Sequence, residues 1–271
     1  MEIKDSMRCE VNGISMNVVE RGVRDSRLNR PALVFLHYFG GSSRAWSEAI
    51  AQLEGEHFCV APDLRGFGDT EAPPAGYSVS DYADDVVALV RLLGIERYIL
   101  VGHSLGGKIA LLVAARAAPG LESLVLLAPS TPTPEPMTET ERVRLLNSYG
   151  NRAAIEETTR QTISLPLSQE LHDQIMKDSL RASRLAWNAW LTEGSREDIS
   201  AQMGNIRAPV LVMSGACDRA IPTHHLEREI VRCVPGTRLV IAPEAGHLLP
   251  LEVPTATAEL IAEASASRLD F

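Results

Sequence analysis

The chain has 271 residues, 45% hydrophobic and 23% charged, with a formal net charge of −9. That size suits one large domain, or one domain with an insertion, and the balance excludes a disordered or fibrous chain. An acidic surface without a dense Lys/Arg block argues against nucleic acid or an anionic membrane as partner.

No apolar run reaches the roughly 18 residues of a membrane-spanning helix, and the opening MEIKDSMRCE has no apolar signal core. The four cysteines, Cys9, Cys59, Cys217 and Cys233, form no CxxC pair, so no zinc or thiol-exchange site is expected. A cytoplasmic setting with reduced thiols follows as the expectation.

In chain order, MRCEV and ISMNVVE read as a hairpin around Asn12-Gly13, followed by an Arg-rich loop from Arg21 to Arg30. ALVFLH is a continuous apolar run, as a strand buried on both faces needs. Residues 42–53 read as a helix capped by Ser42 or Ser43, and HFCVAPD as a short strand. Helical spacing covers 79–93, with Gly94 as its stop. RYILVG, a helix from Leu105 to Ala118, and SLVLLAP continue the rhythm. After STPTPEP, residues 138–194 read as helices with no strand. The strands resume at PVLVMSG, then come a helix from about His224 to Cys233, the strand RLVIAP and a last helix from about Val253 to Ser267. Strand–helix alternation predicts an α/β fold: a mostly parallel sheet with helices on both faces and a helical lid inserted after the sixth strand. The expected division is core 1–130, lid 131–195 and core 196–271. Ligands of such sheets bind beyond the carboxyl ends of the strands.

The strongest chemical signal is Gly102-His103-Ser104-Leu105-Gly106-Gly107, set between a buried strand and a helix. A serine on so sharp a turn projects its hydroxyl above the sheet edge. A hydroxyl needs a base to become a nucleophile. His247, in the turn PEAGH after RLVIAP, lies at the same sheet edge. Of the other histidines, His57 reads as structural, His172, His224 and His225 as solvated, and His37 and His103 as parts of backbone-shaping motifs. The base needs an orienting carboxylate. Asp218, in SGACDRAIP, follows the strand PVLVMSG. The position after SLVLLAP offers Pro129, Ser130 and Thr131 instead, and Glu244 is too local to His247. The backbone N–H groups of Leu105 and Phe39 are the expected oxyanion donors.

Together HYFGG at 37–41, DLRGFGDT at 63–70, GHSLGG at 102–107, GACD at 215–218 and EAGH at 244–247 resemble the α/β-hydrolase fold superfamily, in its lidded esterase, lactonase and perhydrolase-like branch. The likeness spans nearly the whole chain. It implies a cofactor- and metal-independent serine hydrolase acting on an ester-like bond of a small molecule. The family usually has His-Gly where this chain has His37-Tyr38, so Tyr38 is expected to narrow the pocket mouth or touch substrate. Relatives that use an aspartate nucleophile are excluded by Ser104. Tyr38, His103, Trp187, Trp190 and Leu248 are the expected pocket residues, with Trp187 and Trp190 either lining it or packing the lid. Asp63 and Arg65 are expected to brace a loop, Cys217 to be a buried thiol, and Lys108 to be solvated or salt-bridged. The alternatives are a perhydrolase or metal-free haloperoxidase, a carbon–carbon bond hydrolase, and a slow-turnover ligand sensor. Substrate identity and oligomeric state are not encoded in these motifs.

Overall fold

Alternation within the apolar runs builds two cores on one sheet. In the computed structural model, which describes residues 6–24 and 30–266, the strands are β1 (Ser6–Val11), β2 (Ile14–Arg21), β3 (Ala32–Leu36), β4 (Cys59–Pro62), β5 (Tyr98–His103), β6 (Leu121–Leu127), β7 (Val210–Gly215) and β8 (Arg238–Ala242). They form one eight-stranded sheet in the order β1-β2-β4-β3-β5-β6-β7-β8. The β1/β2 and β2/β4 pairs are antiparallel and the rest parallel.

Successive side chains of a strand point to opposite faces. Val34, Leu36, Leu100, Leu124 and Val212 therefore join the core under α2 (Val79–Leu92) and α3 (Leu105–Ala115). Leu33, Phe35, Ile99, Val101, Val125 and Leu211 join the core under α1 (Ser47–Leu53) and α10 (Pro254–Ala266). The remaining helices are α4 (Glu139–Asn147), α5 (Arg152–Thr162), α6 (Gln169–Arg181), α7 (Arg184–Thr192), α8 (Thr223–Leu226) and α9 (Leu249–Glu252). Helices α4 to α7 all fall between β6 and β7, where the sequence predicts helices and no strand. No helix among the described residues is long and apolar enough to cross a membrane.

The hairpin forms as expected, with Asn12 and Gly13 both at positive φ, as a type I′ turn requires. Part of the Arg21–Arg30 loop, the first five residues and Ser267 lie outside the described residues. Ser42 caps the 3₁₀ turn Ser43–Trp46, which leads into α1. The helix expected to reach Ala118 ends at Ala115. Pro119 disfavours helical backbone in the residue before it, and Ala117, at φ 51°, closes a Schellman-type cap with bonds from Ala117 to Ala114 and Ala118 to Val113. The helix expected near His224–Cys233 is shorter: α8 runs into a π-helical turn, Glu227–Val231.

Candidate active site

The turn between β5 and α3 is tight because it can be. A Cβ on Gly102 would sit 2.5 Å from the Gly106 carbonyl oxygen, and one on Gly106 would sit 2.3 Å from that of Leu36. Ser104 between them takes φ 52°, ψ −117°, an unfavourable conformation for a residue with a side chain. Its N–H donates to Leu127 and its carbonyl accepts from Gly107, Lys108 and Ser130, so the neighbouring strand and helix hold the strained turn.

The three expected reactive residues are brought together. The Ser104 hydroxyl donates to His247 Nε2 at 2.9 Å, and His247 Nδ1–H donates to Asp218 Oδ2 at 2.8 Å. The second Asp218 oxygen accepts the N–H groups of Ala220 and Ile221 at 2.8 and 3.0 Å. That arrangement fixes the carboxylate, and the carboxylate fixes the imidazole tautomer. Burial works against the charged form of His247, but the charge and hydrogen bond of Asp218, with Glu135 and Glu252 further off, outweigh it. The imidazole pKa therefore lies above its ordinary 6.5.

Two carboxylates unmarked by any motif complete the surroundings. Glu252, on α9, accepts the N–H groups of Gly246 and Leu248 on either side of His247, and also those of Ser164 and Leu165 just beyond α5. The His247 N–H itself donates to Thr162 at 3.0 Å. The histidine turn and the inserted helices thus share one clamp. Glu135 lies in the STPTPEP segment on the cavity wall; burial raises its pKa, only partly opposed by the hydroxyl of Ser130 and by Lys108. The signal for Glu135 was an acid within the exit from β6. Glu252 acts on backbone groups and left no signal.

A cavity of about 370 Å³ opens above Ser104 and His247. Tyr38, Trp187, Trp190 and Leu248 line it, together with Phe39, Met137 and Leu191. Both tryptophans are buried and border the cavity, and Trp187 packs its ring 4.5 Å from that of Phe39 while donating to the Leu145 carbonyl. Among the described residues no protein acceptor takes the N–H groups of Phe39 or Leu105. The latter is a first-turn donor of α3, which a helix leaves unpaired.

His103 does not line the cavity. It is fully buried behind His247, donating from Nε2 to the His247 carbonyl at 2.8 Å, because the strand end turns its side chain under the base. His37 accepts the Leu64 N–H and donates to the Tyr38 carbonyl, a loop-shaping role. His57 is likewise buried against Ser265. Asp63 accepts from Ser43, Asn17 and Asp69, and Arg65 grips Asp85 through two 2.6 Å bonds, so both brace loops as expected. Two further expectations fail. Cys217 is exposed, since its turn lies at the molecular surface. Lys108 is fully buried, with Nζ donating to the carbonyls of Thr133 and Glu197, and burial lowers its pKa. Its long side chain reaches under the segments that leave β6 and return to β7.

Comparison with known proteins agrees with this architecture. The chain is 26% identical over 272 residues, 94% of its length and 93% of the other, to a 2-(acetamidomethylene)succinate hydrolase of Mesorhizobium japonicum. Its fold matches an esterase from Exiguobacterium antarcticum with a TM-score of 0.88 at 20% identity, covering 96% of this chain and 99% of that one. It also matches a bromoperoxidase from Bacillus anthracis with a TM-score of 0.88 at 17% identity, covering 97% and 100%. The family model described as the alpha/beta hydrolase family matches residues 33–260, and the chain belongs to that family.

Proposed function

We propose that the protein hydrolyses a carboxylic ester or lactone of a small molecule through an acyl-enzyme on Ser104. The observation that carries this is the unbroken relay Ser104–His247–Asp218 on a cavity, beside two backbone donors with no acceptor among the described residues. Ser104 Oγ attacks the carbonyl carbon while His247 Nε2 takes its proton. The carbonyl oxygen becomes an oxyanion held by the N–H groups of Leu105 and Phe39. His247 returns the proton to the leaving alcohol as the C–O bond breaks. A water, deprotonated by the same nitrogen, then attacks the acyl-enzyme; collapse releases the acid and restores Ser104. Asp218 stays ionised and stabilises the imidazolium throughout.

In this reading, residues 131–195 act as a lid over the cores 1–130 and 196–271. Support comes from Glu135, Met137, Leu145, Trp187 and Trp190, which wall the cavity from the side of the insertion. Four free cysteines fit a reducing, cytoplasmic compartment.

The test is hydrolysis of short nitrophenyl esters and lactones. Turnover by the wild type and loss of at least about 10³-fold in kcat for Ser104→Ala are expected. A folded wild type with no turnover of either class would contradict the reading. Product analysis with peroxide present separates the perhydrolase alternative: peracid formed faster than acid would favour it.

A further inference from the structure

Two glutamates line the cavity: Glu141 is exposed and spends Oε2 on the Thr138 cap of its own helix, whereas Glu135 is half-buried and differs from the other enclosed carboxylates near the site. Glu252 places both oxygens on backbone donors, with Oε1 taking Leu248 and Oε2 taking Gly246, Ser164 and Leu165. Asp63 and Asp218 are likewise engaged through both oxygens. Glu135 is not. Its Oε1 accepts from the Ser130 hydroxyl, Oε2 has no protein donor among the described residues, and the residue lines the cavity.

Its position is fixed all the same. The Glu135 N–H donates to Ser195 at 2.8 Å and its carbonyl accepts from Met137 at 2.7 Å. Ser130, which holds Oε1, donates its own N–H to the Ser104 carbonyl at 2.9 Å. The carboxyl therefore stands a short, rigid path from the nucleophile, with the buried Lys108 ammonium nearby offsetting its charge without bonding to it. A carboxyl kept only for structure gains nothing from an oxygen left idle at a cavity wall. Enclosing it against an apolar ligand costs affinity, because its water is lost and nothing replaces it.

We propose that Glu135 recognises the substrate, accepting through Oε2 a hydrogen bond from a donor on it: a hydroxyl, amide N–H or ammonium group. This rests on the Ser104 hydrolase reading. It narrows the substrate class to polar esters or lactones with such a donor near the reacting carbonyl.

The experiment compares kcat/KM for nitrophenyl butyrate with that for its 2-hydroxy, 3-hydroxy and 3-amino analogues, in the wild type, Glu135→Leu and Glu135→Gln. A site built to bond a polar group rejects the analogue lacking it. The wild type is expected to prefer at least one donor-bearing ester by about tenfold or more. Both variants are expected to bring that ratio within about twofold; in Glu135→Gln, Ser130 claims the amide oxygen and the NH₂ faces the cavity. Ratios within about twofold in the wild type would overturn the proposal without any variant. A preference that survives in either folded variant would overturn it as well. Absence of all turnover, with no fluorophosphonate adduct on folded wild type, would instead sink the underlying hydrolase reading and the proposal with it.

Discussion

In the proposed relay the His247 ring and the Asp218 carboxylate each have a further partner that fixes position, Asp218 for the ring and the N–H groups of Ala220 and Ile221 for the carboxylate, and single substitutions separate the two roles. Asp218→Asn keeps the shape but leaves His247 Nδ1 facing an amide and favours the wrong tautomer; kcat/KM is expected to fall about 10⁴-fold. In the proposed mechanism the neutral imidazole is the base, so activity should be lost as pH falls through its pKa. Because that pKa is raised, the acid limb of kcat/KM should have its midpoint above 6.5, and Asp218→Asn should move the midpoint down. A wild-type rate flat from pH 5 to 8 would count against His247 as base. Glu252 also raises the pKa and holds the N–H groups around the ring. In Glu252→Gln a smaller downward shift is expected, with kcat falling more than KM changes. Unchanged profile and kcat would reduce Glu252 to a purely structural clamp.

The connections between elements explain which parts of the site were legible beforehand. The strands and the Ser104 turn follow from apolar runs and glycine spacing, so the sheet, its insertion and the Ser–Asp–His order could be read directly. The depth of Lys108 could not, because nothing in its helix says that the segments around Thr133 and Glu197 pass over it. His103 was misplaced for a similar reason: the strand end decides which side of His247 it occupies. Lys108→Met removes the ammonium that ties those two segments. It should lower stability by roughly 1–3 kcal/mol in a denaturant titration, the cost of leaving buried carbonyls unpaired. A stability unchanged from wild type would show that the tie contributes nothing. On α7, Trp187→Ala empties the space against Phe39 and should cost about 3–5 kcal/mol.

For the whole molecule, the two cores make the frame, and Ser104, Asp218 and His247 lie beyond the carboxyl ends of β5, β7 and β8, where ligands of open parallel sheets bind. Composition and motifs identified this frame because burial and turn geometry restrict residue choice strongly there. The cavity was less legible, since its walls come from helices whose packing is not set by periodicity. The proposed reaction is carried by protein groups and one water, so an excess of EDTA should leave kcat/KM unchanged. A loss restored by one divalent metal would require a different mechanism.

The central claim is that Ser104 is an activated nucleophile. Intact mass and peptide mapping after treatment with a fluorophosphonate test it most directly, on the wild type with Ser104→Ala and His247→Ala alongside. The account predicts a single adduct on the wild type, located at Ser104 and lost in both variants. A folded wild type that takes no adduct, or takes it on another residue, would contradict it.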